Sequence, residues 1–244
     1  PDSLSYRLFS QADLDHFKNG TDPYGHPNID WYNTVFKKAS LMNTTTLDVS
    51  GGSERLKYFI SGGYLWQNGL LRSFPTKDDF NNNYYYKRYN FRSNLDITAT
   101  DRLRFAVNLA GSFGETNRPI INTPNVANDP FYEVSGFLYL PPFAYPVHNP
   151  DGSYGFSNTW TQGHNNLVGR IANTGYTRNF ENIMNLNLTG NYDMSYITKG
   201  LSARGTLAYS TSNTATRTLS RGDGFPSYNY NPATGTYTIR NPND

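Results

Sequence analysis

Cysteine is absent from all 244 residues. That excludes a disulfide scaffold and thiolate metal sites, and it is compatible with a bacterial envelope location. Charge is sparse too: Asp, Glu, Lys and Arg make up 16%, and the formal net charge is +2. So small a net field recruits neither nucleic acid nor anionic lipid over a distance. No run of about 18 apolar residues exists, so no helix spans a bilayer; a β-barrel needs no such run, because its strands alternate. The four histidines, at 16, 26, 148 and 164, fall in separate segments without metal-ligand spacing. No metal, cofactor or catalytic constellation is indicated. The start, Pro1-Asp2-Ser3-Leu4, is neither basic nor followed by an apolar stretch, so it does not read as a signal peptide. The chain is expected to begin within a longer protein.

Aromatic residues are abundant instead. They make up 16% of a chain that is only 36% hydrophobic, with 20 Tyr and 15 Phe. Disordered chains share the low hydrophobicity but not the aromatics, so the composition reads as strands joined by polar turns. One helical signal stands out: Ser10 to Phe17, with Ser10 as cap and Gly20 as terminator. The remaining periodicity is two. Leu103, Phe105, Val107, Leu109, Gly111 and Phe113 alternate with Arg104, Ala106, Asn108, Ala110 and Ser112. Tyr85–Ile97 does the same and connects through Ala99-Thr100-Asp101-Arg102, giving a hairpin. A second hairpin joins Met184–Met194 to Leu201–Ser210 around Thr198-Lys199-Gly200. A third joins Leu47 and Val49 to Leu56–Trp66 around Ser50-Gly51-Gly52-Ser53.

Between the hairpins lie longer segments, roughly residues 68–84, 114–180 and 212–244. Short turns at one end and long loops at the other are the arrangement of outer-membrane barrels. A soluble sandwich alternates identically, so alternation alone leaves both readings open. Strands of about 9–13 residues with aromatics near their ends favour the barrel, since a typical soluble strand has about five or six. The fold class expected is all-β, an antiparallel transmembrane β-barrel segment of about six strands. The alternative is a soluble all-β module that binds or cleaves carbohydrate; a passive porin is a third possibility.

Three stretches carry a family resemblance. Asn28-Ile29-Asp30-Trp31-Tyr32 through Val35-Phe36-Lys37-Lys38 is similar to "NTDWYDEVFK", and Leu47-Asp48-Val49-Ser50-Gly51-Gly52-Ser53-Glu54-Arg55-Leu56-Lys57-Tyr58 through Gly63-Tyr64-Leu65 to "LSVSGGSEKLKYYVSGGYL". Lys87-Arg88-Tyr89-Asn90-Phe91-Arg92-Ser93-Asn94-Leu95-Asp96 matches "KRYNFRSNLD". In order and spacing, across about residues 24–115, these words resemble the SusC/RagA family of TonB-dependent outer-membrane transporters. Residues 116–244 fit by strand plan alone.

The resemblance implies a 22-stranded barrel plugged by an N-terminal domain, with residues 1–244 supplying early strands and extracellular loops. The plug domain, TonB box, first strand and C-terminal strands are expected outside this chain. It also implies import of oligosaccharides or peptides, energy from TonB–ExbB–ExbD, a SusD-like surface lipoprotein as lid, and outer-membrane lipid around the strands. No nucleic acid partner and no enzymatic activity are implied. The turn at residues 50–54 becomes periplasmic and Trp31-Tyr32 extracellular.

The segment from Glu115 to Arg178 is the main candidate for substrate contact. Tyr154, Trp160, Asn165 and Asn166 combine rings that stack on sugars or side chains with amides that bond hydroxyls or backbone groups; packing of the loop on itself is the alternative. Arg88, Arg92 and Arg204 lie on polar strand faces, so they read as facing the lumen or the plug. Arg221-Gly222-Asp223 and Asn149-Pro150-Asp151-Gly152 read as turn chemistry rather than as adhesion or calcium motifs.

Overall fold

The structure is a computed structural model that describes residues 8–76, 80–121, 140–157, 159, 164–222 and 224–240. Alternating sequences rich in Tyr, Phe, Thr and Leu, with Pro only at the last residue of one strand, extend into six long strands. These are β1 (Met42–Gly52), β2 (Leu56–Asn68), β3 (Tyr85–Thr98), β4 (Leu103–Pro119), β6 (Gly175–Asp193) and β7 (Ser202–Ser220). They form one antiparallel sheet in the order β1-β2-β3-β4-β6-β7. A second sheet of three short strands joins β5 (Tyr154–Gly155), β8 (Ser227–Asn231) and β9 (Thr236–Ile239). The helices are α1 (Gln11–Asn19), α2 (Trp31–Val35) and α3 (Leu167–Asn173).

Register sorts the large sheet into two chemically distinct faces, because a strand's side chains alternate with period two. One row runs Tyr58, Leu95, Val107, Leu188 and Leu207 across five strands; the next runs Val49, Ile60, Ser93, Leu109, Leu186 and Tyr209. Nothing among the described residues covers these rows: Leu47 is 71% exposed, Leu207 63% and Ile60 49%. The opposite face carries Asp48, Ser61, Arg92, Ala110, Asn185 and Ser210 in register. Here Ser210 donates to Asn185 Oδ1 at 2.7 Å and Thr216 to Asn179 Oδ1 at 3.0 Å. An aqueous-soluble sandwich would bury the first face, whereas a membrane strand turns it to lipid.

The apolar band has membrane height. From Ile97 to Tyr89 on β3 the outward residues are Ile97, Leu95, Ser93, Phe91 and Tyr89. Eight residue steps at roughly 3.4 Å each span about 27 Å of strand. A tilt of about 40° reduces that to about 20 Å, close to the usual apolar belt of about 25 Å. Tyr64 and Tyr89 pack with centroids 4.9 Å apart at its upper margin. At its lower margin Tyr192 and Tyr196 meet at 6.5 Å, and Arg102 lies 4.9 Å from the Tyr196 ring.

Three short turns close one end. The first lies at residues 53–55 and so begins three residues later than the sequence suggested: Gly51 and Gly52 pair with Tyr58 and Lys57 as strand residues, and Ser53 N–H donates to Leu56 O at 2.6 Å. Thr100 Oγ1 accepts from the Leu103 amide at 3.0 Å in the second. Gly200, with φ at 85°, turns the third. The long connections gather at the other end and hold the protein's packed core. Trp31, Val35, Phe36, Leu71, Ile121, Leu140, Ala144, Tyr145, Leu167, Val168 and Ile171 form one buried cluster there. Trp31 donates its indole N–H to Pro141 O at 3.0 Å and meets the Tyr145 ring edge-on at 5.1 Å. The segment expected as loop, 114–180, is shorter than that reading. β4 runs on to Pro119 and β6 begins at Gly175.

Helix α1 forms as its caps dictate: Ser10 and Asp13 make a reciprocal capping box, and Gly20 ends the helix at φ 63°, a left-handed value that glycine adopts freely. It is tied down by His26, whose ring bonds Asp22 at 2.9 Å and Asp13 at 3.0 Å. Partial burial disfavours the imidazolium, but the two carboxylates outweigh burial and raise the His26 pKa above 6.5. The Ser10 bonds and then His26 lower Asp13 below 3.8. Asp22 is lowered too, its burial being overcome by the Gly25 amide and His26. The raised histidine stabilises the clasp below pH 6.5 and loses that contribution as pH rises through its folded value. The lowered carboxylates contribute above 3.8 and lose it on further acidification. Amide-exchange protection of α1 is therefore expected to peak between these limits and fall toward pH 8, with His26→Gln abolishing the alkaline fall. A protection profile that stays flat in the native protein from pH 5 to 8 would contradict this reading.

Candidate functional site

Two regions hold the residues singled out from sequence. The first is a trough on the polar face of the sheet, a cavity of about 490 Å³ lined by Ser61, Arg88, Asn90, Arg92, Ser112 and Asn185 among others. Strand β3 places Arg88 and Arg92 there because they lie four residues apart and so share one face. Arg92 is exposed and Arg88 half-buried. The Arg88 Nε is buried without a hydrogen-bond partner among the described residues, so the guanidinium is oriented with unused donor capacity. Arg204 shares the face but not the trough. It lies six residues from Ser210, the position level with Arg92, and pairs with Asn191, whose other neighbour is Arg104. The structure thus brings Arg88 and Arg92 together and leaves Arg204 roughly 20 Å toward the turns at about 3.3 Å per residue.

The second region is the lobe at the loop end. Asn166 is fully buried as the N-cap of α3: its Oδ1 accepts from the Gly169 amide at 3.0 Å, while its Nδ2 donates to Gly155 O at 2.9 Å and Val147 O at 3.1 Å. Asn165, also buried, accepts from the Asn166 amide at 2.8 Å and donates to Phe225 O at 3.0 Å. These amides tie loop backbone together, which is the packing role allowed for in the sequence. Tyr154 is half-buried on β5, with Phe225 edge-on at 5.3 Å, His148 at 5.1 Å and its hydroxyl accepting from Asn173 at 3.2 Å. Trp160 lies outside the described residues.

Sequence reading missed the residue that organises this lobe. Arg170 is fully buried, donating from Nε to Asn165 O at 2.9 Å and from Nη1 to Ile121 O at 3.2 Å. Asn82 and Asn117 act as similar struts, Asn117 donating to Asn81 O at 3.1 Å and Asn83 O at 2.7 Å. A signal for α3 was present: Asn165-Asn166 precedes Leu-Val-Gly-Arg-Ile-Ala, a capping residue before an apolar run.

Just above the apolar band, on its own face, sits a charged and aromatic belt. The Tyr85 hydroxyl donates to Glu115 at 2.6 Å, Arg178 Nε lies 3.5 Å from the same carboxylate and 3.1 Å from Asn117 Oδ1, and its guanidinium lies 5.1 Å from the Tyr176 ring. Among the described residues no group of His, Cys, Asp and Glu could hold a metal ion.

No family model matches the chain. Among curated proteins it is similar to TonB-dependent receptor P26 of Formosa agariphila, 27% identical over 177 residues, which cover 72% of this chain and 15% of the relative. TonB-dependent receptor P3 of the same organism is 27% identical over 156 residues, covering 63% of this chain and 14% of the relative. Among solved structures, the RagAB peptide importer in its open-open state aligns with a TM-score of 0.57 and 20% identity over 86% of this chain and 23% of that one. Its closed-closed state gives 0.56 and 20% over 78% and 19%. The RagAB peptide transporter gives 0.56 and 19% over 91% and 24%. These structures carry the fold, and this chain spans less than a quarter of the length of each of these five chains. With its two-faced sheet, its turns at one end and its loops at the other, the chain is similar to a barrel segment of these TonB-dependent receptors and RagAB transporters.

Proposed function

We propose that this chain supplies six early barrel strands and their extracellular lobe to a TonB-dependent importer of oligosaccharides or peptides in the bacterial outer membrane. A SusD-like lipoprotein closes over the mouth, and TonB–ExbB–ExbD drives transport through a plug domain outside this chain. The observation that carries the reading is the uncovered apolar face of the large sheet, set against a polar face with an arginine-lined trough. Peptide cargo is the better supported class, because the matched solved structures are described as peptide importers.

In this reading the Arg88–Arg92 pair holds carboxylates of the plug, and the packed lobe presents a stable surface to the lid. Tyr154, Asn165 and Asn166 act by shaping that lobe. Topology is the direct test. In cells making the complete transporter, Asp151→Cys is expected to react with a membrane-impermeant maleimide from outside, and Ser53→Cys only after the outer membrane is permeabilised. The reverse pattern, or labelling of both in intact cells, would refute the orientation. The arginines are tested by replacing Arg88, Arg92 and Arg204 with Gln together. A severalfold drop in TonB-dependent uptake is expected, and normal assembly with normal uptake would remove them from the mechanism.

A further inference from the structure

On the outer face of the sheet, directly above the apolar band, lies a cavity of about 310 Å³. Register fixes its position. Trp66 of β2 pairs with Lys87 of β3, and Lys87 continues the outward row Ile97, Leu95, Ser93, Phe91, Tyr89. The facing wall comes from the loop lobe, where the Lys37 amide donates to Leu70 O at 2.7 Å and holds that residue at the rim. Asn83 and Ser73 add neutral donors.

Among the described residues the charge in this cavity is unbalanced. Glu115 stands opposite Lys87 in register, but its carboxylate accepts from Tyr85 at 2.6 Å and faces Arg178 at 3.5 Å. Lys87 instead lies over the Tyr85 ring, 4.6 Å from its centroid. Neither Lys37 nor Lys87 forms an ion pair with a described carboxylate. Two half-buried lysines, an indole and small polar donors thus surround a space whose lower edge is the hydrocarbon row. Transported solute travels on the opposite face, so it does not reach this space. An occupant here has acyl chains beside Tyr89 and an anionic group beside the lysines. We propose that this cavity seats the phosphate of a membrane-lipid headgroup, with Lys37 and Lys87 as its charged donors and Trp66 anchoring at the interface. The small net charge of the chain is no obstacle, since the attraction is local.

The proposal rests on the barrel reading, yet the two fail separately. A protein that leaves outer membranes without detergent defeats the barrel reading before any lipid is added. The test is native mass spectrometry of the complete transporter with phosphatidic acid, with diacylglycerol of the same chains, or with inorganic phosphate. Phosphatidic acid is expected to remain bound where diacylglycerol is lost. Lys37→Gln with Lys87→Gln should weaken that retention about thirtyfold, about fivefold for each lysine, while Lys37→Arg with Lys87→Arg retains it. Equal retention by the native protein and the Gln variant overturns the proposal. So does inorganic phosphate bound as tightly as the lipid, which would make this a free-phosphate site.

Discussion

Leu109→Arg is expected to cost about 2–4 kcal/mol of stability in the assembled barrel, the usual penalty for a cation at the midplane of the lipid face. Leu109 lies in the middle row of the apolar band, flanked by Ser93 on β3 and Leu186 on β6. The long arginine side chain would need to cross about 10 Å of hydrocarbon to reach either interface, which exceeds the reach of snorkelling. Asn187→Arg provides the contrast. It occupies the polar face between Asn108 and Ala208, where a charge remains hydrated and the expected change is within about 0.5 kcal/mol. Urea titration of the complete protein refolded into phosphatidylcholine vesicles measures both. Equal effects of the two substitutions would mean that both faces meet water, and the barrel reading would fall.

That contrast was legible in the sequence because the lipid demands strict alternation. Leu103 to Phe113 and Met184 to Tyr192 show it, and the structure pairs them in one register. Above the band the demand disappears. Thr211 to Ser220 is a run of Ser, Thr, Asn, Ala, Arg and Leu with no apolar period, yet it forms strand β7 to its end. Water wets both faces there, and the backbone ladder to β6 from Gly175 to Ile183 holds the strand instead. The same reason hid the first turns of β6. Gly51 and Gly52 were read as turn residues but pair as strand residues, whereas Gly111, read within its strand, has no room for a β-carbon, because the Phe91 ring lies over it. The lobe was the least legible part. Its core joins Trp31, Leu71, Ile121, Tyr145 and Ile171 from distant segments, none of which shows a local period long enough to announce an element. Helix α1 was readable from its capping signals; α3 has a local cap too, at Asn166, but tertiary contacts bury it on all sides and leave no amphipathic period to extend that signal. The trough was half legible: period two placed three arginines on one face, but only register separates Arg88 and Arg92 from Arg204.

Arg170→Met should uncouple the lobe from the barrel. The substitution keeps most of the aliphatic volume and removes the guanidinium, leaving Asn165 O and Ile121 O without their donors at 2.9 and 3.2 Å. Buried acceptors that lose a charged donor cost about 1.5–3 kcal/mol each, and neither carbonyl can be rehydrated while α3 keeps its place. Ile121 belongs to the core cluster and Asn165 anchors Phe225 O at 3.0 Å, so the loss reaches both walls of the lobe. A local destabilisation of about 3 kcal/mol or more is expected, read as loop cleavage by external protease at least a hundredfold faster (1.4 kcal/mol per tenfold). The six strands do not depend on this core, since their own ladders hold them. Heat-modifiable mobility of the barrel in gels should therefore be unchanged. Uptake should fall with the lobe, because the surface offered to the lid is then disordered. Rapid cleavage with uptake intact would separate the lobe from transport. Cleavage at the native rate would show that Arg170 is dispensable to the lobe's packing.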